Sequence, residues 1–171
     1  MRLGCGDPQG GPHITYCVNK IEITLNVPSI EDTVAWYHRV LGWVGHYDVF
    51  DAEGHCQFGS VMCGDSERVL RGEEEFRGFN LSRDTGGEGA GRHDRAGFMA
   101  MITVDDVDAV YEQVMVSGAA PDGAPENQVW GGRTFMLRDL NGCQLMFVQQ
   151  VETVTLEEVR RRIRERQGGA A

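Results

Sequence analysis

"QVWGGRTFMLRDLNGCQLMFVQ" (residues 128–149) reads as two strands joined by the tight turn "DLNG", in which Asn141 and Gly142 supply the turn chemistry. Upstream lies a loop punctuated by Pro121 and Pro125, and before it a helix carrying Val107, Val110, Tyr111 and Val114 that stops at Gly118. Asp105 or Asp106 caps that helix. Ahead of the cap, "GFMAMITV" (97–104) alternates, with Phe98, Ala100, Ile102 and Val104 on one face and Met99, Met101 and Thr103 on the other. A strand, an acidic cap, a helix, a glycine stop and a hairpin therefore follow in order.

The same order occurs once before. "KIEITLNV" (20–27) places Ile21, Ile23, Leu25 and Val27 on one face and Glu22, Thr24 and Asn26 on the other. Ser29 caps a helix with Asp32 at its third position. Ile30, Val34, Tyr37 and Leu41 follow at helical spacing, and Gly42 stops it. Val27 to Gly42 spans fifteen residues and Val104 to Gly118 fourteen, so the two copies lie about 77 apart. "WVGHYDVF" and "HCQFGSVMC" then form a hairpin around "DAEG" (51–54). The expected organisation is an irregular head (1–18), a first module (19–63) and a linker (64–96) in which "EFRGFNLSR" is the candidate for a further strand. A second module (97–150) and a C-terminal helix (151–167) complete it. Thr155 and Glu158 form a capping box for that last helix.

Composition narrows the partners. A formal net charge of −10 disfavours nucleic acid and anionic membrane, both of which reward a basic surface. The arginines at 160, 161, 162 and 164 read as a solvated helix face. No apolar run is long enough to span a membrane, and "MRLGCGDPQGGPH" lacks the pattern of a secretory signal. Five scattered cysteines with no C-x-x-C pair fit neither a disulfide framework nor a zinc site, and point to the reducing cytoplasm.

"NVPSIEDTVAWYHRVLGW", "VDDVDAVYEQVMVSGA" and "VWGGRTFMLRDLNGCQLMFV", in this order and at the duplicated spacing, resemble the vicinal-oxygen-chelate superfamily over residues 20–63 and 97–149. That superfamily includes glyoxalase I, extradiol dioxygenases and bleomycin-resistance proteins. The resemblance implies an α+β fold: two β-α-β-β-β modules curling into a half-open barrel around a cavity, here followed by the C-terminal helix. In the enzymes of the family a divalent metal sits in that cavity. The corresponding first-strand positions are Glu22 and Met99, and the last-strand position is Met146; the fourth is not placed by the sequence. A thioether is a soft donor, ill suited to the metals these enzymes use, so no metal and no other cofactor is expected. His46 and His55 are the residues that would rescue a metal site.

The expectation is therefore a glyoxalase-like small-molecule-binding protein with a metal-free, methionine-lined cavity. Alternation sends Glu22, Thr24, Asn26, Met99, Met101, Thr103, Gln144 and Met146 to the concave face as ligand contacts. Methionine suits a bulky or aromatic ligand, and the resemblance points to sequestration of an antibiotic or related compound by a homodimer. Two alternatives stay open: a metal-dependent lyase, dioxygenase or epimerase with rearranged ligands, and a cofactorless isomerase or cyclase in which Glu22 is the catalytic base.

Overall fold

The computed structural model describes residues 22–84 and 98–168. The expected irregular head, the first residues of the 20–27 strand and the 85–97 part of the linker lie outside these residues.

The first module runs β1 (Thr24–Val27), α1 (Ile30–Leu41), β2 (Val44–Phe50), β3 (Cys56–Met62), α2 (Ser66–Leu70) and β4 (Gly78–Arg83). Leu25 and Val27 are buried while Thr24 and Asn26 are exposed, as alternation requires. The strand starts later than the pattern suggested. Glu22 precedes β1, and the ladder is entered at Ile23, whose carbonyl accepts from the Asn80 amide at 2.9 Å. α1 begins where the Ser29 hydroxyl accepts the Asp32 amide at 3.1 Å. It ends at Gly42, whose φ of 70° places it in the left-handed region that a glycine adopts without strain. Its inner stripe, Ile30, Val34, Tyr37 and Val40, is buried on the sheet.

β4 falls inside the stretch read as linker. It lies within the sheet, parallel to β1 and antiparallel to β3, giving the order β1-β4-β3-β2. Its first residue must be small, because a Cβ on Gly78 would sit 1.9 Å from the Val61 carbonyl oxygen. Its last residue ties the sheet to the helix. Arg83 donates to the Cys56 carbonyl at 2.7 Å and to the Pro28 carbonyl at 3.2 Å, and it pairs with Glu31. Burial alone would raise the Glu31 carboxyl; the Cys56 amide and the Arg83 guanidinium outweigh it and hold the group below its ordinary value.

The second module repeats the plan as β5 (Met99–Thr103), α3 (Val107–Val116), β6 (Glu126–Asn127), β7 (Gly132–Arg138) and β8 (Gln144–Gln150), in the order β5-β8-β7-β6. Asp106 is the cap of α3, accepting the Ala109 amide at 3.0 Å. β5 is parallel to β8, and β7 and β8 form the hairpin around "DLNG". Ala100, Leu145, Leu137, Phe135 and Phe147 are buried toward the helix, with the two phenylalanine rings stacked 4.9 Å apart. Among the described residues no ladder joins the two sheets, so the barrel expected from the resemblance is open between them.

What joins the modules is the helix side. α1 packs on α3, with Arg39 donating to the Ser117 carbonyl at 2.8 Å and Gln113 to the Val40 carbonyl at 3.1 Å. Asn141 in the hairpin turn donates to the Thr33 hydroxyl at 3.0 Å. The Tyr37 hydroxyl donates to the Asp139 carboxylate at 3.0 Å, and that carboxylate also accepts the Asn141 and Cys143 amides at 2.8 and 2.7 Å. Asp139 is only 6% exposed, and these donors replace the water its carboxylate gives up on burial.

α4 (Leu156–Gly168) starts at the expected cap, with the Thr155 hydroxyl accepting the Glu158 amide at 3.2 Å. Arg161 and Arg162 both donate to Glu158, which drops to about 2, and they pair further with Glu165 and Glu152. These two arginines are thus satisfied by acidic neighbours on the same surface.

Tyr37→Phe leaves Asp139 buried with one donor fewer. Denaturant unfolding of this variant is expected to show a loss of about 1–3 kcal/mol, the cost of an under-satisfied buried charge. A midpoint equal to that of the parent chain would show that the Tyr37–Asp139 contact does not stabilise the joint.

Candidate functional site

Each sheet has a face turned away from its helix, and the registers fix what stands on it. On the first sheet the pairing Thr24–Asn80–Ser60–His46 forms one row across four strands. Glu22, Thr24 and Asn26 are exposed here. Above this face the α2 turn and the following loop enclose a cavity of about 670 Å³. Glu22, His46, Asp48, Ser60 and Asn80 form its floor and wall, and Leu70 and Phe76 its roof.

On the second sheet the row Met101–Met146–Met136 crosses three strands, beside the row Met99–Gln144–Arg138. Met101 is 60% exposed and Met99 44%, high values for apolar side chains. Thr103 is exposed at the end of the same strand, while Gln144 and Met146 are half-buried. With its amide oxygen toward Arg138, Gln144 accepts from that guanidinium at 2.9 and 3.1 Å. Met99, Met101 and Thr103 also border a cavity of about 570 Å³ whose other walls are mainly apolar, among them Trp43, Phe79 and Phe147.

The eight residues expected to contact ligand thus fall into two groups on two sheets. Glu22 borders the first cavity, and Met99, Met101 and Thr103 the second. Sequence reading passed over Met136 and Arg138, although the turn centred on Asn141 pairs Met136 with Met146 and Arg138 with Gln144. It passed over Ser60 and Asn80 because the strand that pairs them, β4, was hidden in a stretch rich in glycine and charge.

The strand registers give the residue equivalent by the internal repeat to the fourth position that the resemblance left open. Val27 corresponds to Val104, so Thr24 corresponds to Met101, and the partners of these two residues are Asn80 and Met146. The donor set is then Glu22, Asn80, Met99 and Met146. Two thioethers, one amide and one carboxylate do not fit a hard or borderline divalent ion. Nor do the histidines assemble a substitute. His46 Nε2 lies 2.9 Å from Asp48, and His55 Nδ1 lies 3.5 Å from Asp51 on the exposed hairpin end. Among the described residues no group of three or more His, Cys, Asp or Glu side chains is arranged to hold a metal ion.

Comparison with known proteins agrees with this architecture. A glyoxalase-related enzyme from Clostridium phytofermentans superposes with a TM-score of 0.66 at 24% identity, over 81% of this chain and 100% of that one. The bleomycin resistance determinant encoded on the transposon Tn5 superposes with a TM-score of 0.56 at 21% identity, over 78% and 98%. TioX from Micromonospora sp. ML1 gives 0.54 at 19% identity, over 77% and 99%. At these identities the likeness speaks for the fold alone. No curated protein matches the sequence significantly. The family model of the Glyoxalase/Bleomycin resistance protein/Dioxygenase superfamily matches residues 13–147, most of the chain and both modules. By that match, and by its duplicated four-stranded sheets, the chain belongs to the Glyoxalase/Bleomycin resistance protein/Dioxygenase superfamily.

Proposed function

We propose that this chain is a small-molecule-binding member of its superfamily, holding a bulky, partly aromatic ligand in a methionine-lined cavity without a bound metal. The observation that carries the reading is the row Met101–Met146–Met136, with Met99 beside it, on the helix-free face of the second sheet. Unbranched thioethers adapt to irregular ligands and make favourable contacts with aromatic rings. Two of them, Met99 and Met146, stand where the resemblance implies that a metal enzyme of this family would present oxygen or imidazole donors. Sequestration of an antibiotic or related compound is the biological role most in keeping with such a surface. The bleomycin resistance determinant among its structural neighbours makes that role the natural one to test first.

The functional unit in this proposal is a homodimer. Within one chain the modules are joined through α1 and α3, so the opposite face of the second sheet, and the part of the first not covered by α2 and its loop, stay available to a second copy. The outer hairpin of the first sheet exposes Tyr47, Val49, Phe50 and Phe58, and among the described residues each sheet ends in strands with one open edge. Facing a first sheet of one copy with a second sheet of the other would bring Glu22, Thr24 and Asn26 opposite the methionines. The free thiols of Cys56 and Cys63 favour a reducing compartment, and a cytoplasmic location belongs to this proposal. No helix among the described residues is long and apolar enough to cross a membrane.

Protein purified without chelator is expected to carry clearly substoichiometric transition metal. Adding chelator should move its melting temperature by no more than about a degree, because no metal-binding energy is linked to folding. One tightly held ion per chain with a large chelator shift would establish the metal enzyme instead.

Met146→Glu places a charge on the proposed ligand face and should weaken binding of a neutral aromatic dye while the fold persists. Leu25→Glu puts an unpaired charge in the core, where Leu25 is buried under α1, and should abolish cooperative unfolding. The reverse pattern in circular dichroism and dye titration would show that the two faces have been exchanged.

Light scattering at micromolar concentration should return twice the chain mass. A monomer mass would remove the cross-chain cavity.

A further inference from the structure

We propose that the cavity under the α2 turn takes the protonated-amine end of the ligand, which makes that ligand an amphiphilic cation. The inference rests on the proposed binding function and adds the charge of what is bound.

Its starting point is Ser60. The residue is 6% exposed and borders the cavity, yet its hydroxyl makes no hydrogen bond among the described residues. A buried hydroxyl without a protein partner costs stability, so one beside a cavity is placed to take its partner from what fills that cavity. Ser60 is flanked in its row by His46 and Asn80, and the Asn80 side-chain amide likewise has no partner among the described residues. The row therefore offers a hydroxyl that rotates to accept and an amide oxygen, side by side.

Charge decides which ligand group these acceptors meet. Asp48 and Glu75 border the same cavity as Glu22, and no lysine or arginine is among its described lining residues. Glu74 is already occupied by Arg68 at 2.8 Å. One oxygen of the Asp48 carboxylate lies 2.9 Å from the His46 ring, and the residue borders the cavity. A concave, partly apolar enclosure lined by carboxylates focuses a negative potential and concentrates cations. A compact ammonium with three donors suits two or three scattered acceptors. A divalent metal does not, because these groups are not clustered as its ligands. Met62, Leu70 and Phe76 supply apolar wall for the carbon skeleton that carries the amine. The volume of about 670 Å³ accommodates a drug-sized fragment.

Three fluorescent probes of similar size test this on the full chain: aminoacridine (a cation), N-phenylnaphthylamine (neutral) and anilinonaphthalene sulfonate (an anion). Aminoacridine should bind about tenfold more tightly than the anionic dye, a difference of about 1.4 kcal/mol. Asp48→Asn, Glu75→Gln and Ser60→Ala should each weaken aminoacridine by about three- to tenfold, within the range for the net contribution of a single hydrogen bond. None of the three should change the neutral dye. Ser60→Ala should also leave the melting temperature unchanged or raise it, since it removes an unsatisfied buried hydroxyl. A hydroxyl serving only the fold would give the opposite result. Should Asp48→Asn unfold the chain, Glu75→Gln decides, because Glu75 is exposed outside the sheet.

Equal affinity for the three dyes, or an aminoacridine affinity indifferent to Asp48→Asn and Glu75→Gln, overturns the cation assignment. If the neutral dye still responds to Met146→Glu, the methionine cavity survives that failure. If cation selectivity depends on Asp48 and Glu75 while Met146→Glu changes nothing, the amine site stands and the methionine-lined reading falls. Absence of binding by all three dyes overturns both.

Discussion

The Asp139 carboxylate is the interaction on which the arrangement of the chain depends. It closes the turn between β7 and β8 by accepting two amides of its own hairpin, and it reaches across to the Tyr37 hydroxyl on the helix of the other module. A charge this buried is tolerated only when donors surround it, so the turn and the helix must sit where they do. Arg39, Gln113 and Asn141 add further bonds along the same seam. The hairpin that identifies the second module is also the piece that attaches it to the first.

Joining the modules by their helices has a consequence for function. The apolar residues of both sheets are spent on one continuous core, from Leu25 and Val27 through Tyr37 to Leu145 and Phe147. The opposite faces carry what is left: a polar row on the first sheet and a methionine row on the second. The two faces have different chemistry because equivalent positions hold different residues. Thr24 and Asn80 stand where Met101 and Met146 stand in the other copy. Duplication thus supplied two frames, and divergence at a few inward positions made one hydrogen-bonding and the other soft and apolar.

The same divergence removes the basis for a metal centre at the implied positions. Thioethers replace hard donors at two of them, and the histidines of the first hairpin are engaged with Asp48 and Asp51. The frame of the superfamily is retained, and in the proposed reading binding rests on shape, sulfur–aromatic contact and charge.

Periodicity alone determined a good deal of this protein. Alternation in 20–27 and 97–104, the cap at Ser29, the cap at Asp105 or Asp106 and the stop at Gly42 specify local structure, because each depends on a residue and its near neighbours; the structure selects Asp106. The duplicated order then implied the α+β frame. β4 was poorly legible for a physical reason: its helix-free positions carry Gly78, Asn80 and Ser82, so it lacks the aliphatic pattern of an ordinary strand. Only the tertiary structure paired Met136 with Met146 across the hairpin and set Ser60 between His46 and Asn80. It alone put Tyr37 on Asp139, 102 residues away in sequence. It also separated Glu22 from the methionines, which sequence alternation had gathered on one concave surface. Alternation says which side of its own sheet a residue takes; the helices, by packing against each other, decide which way each sheet faces.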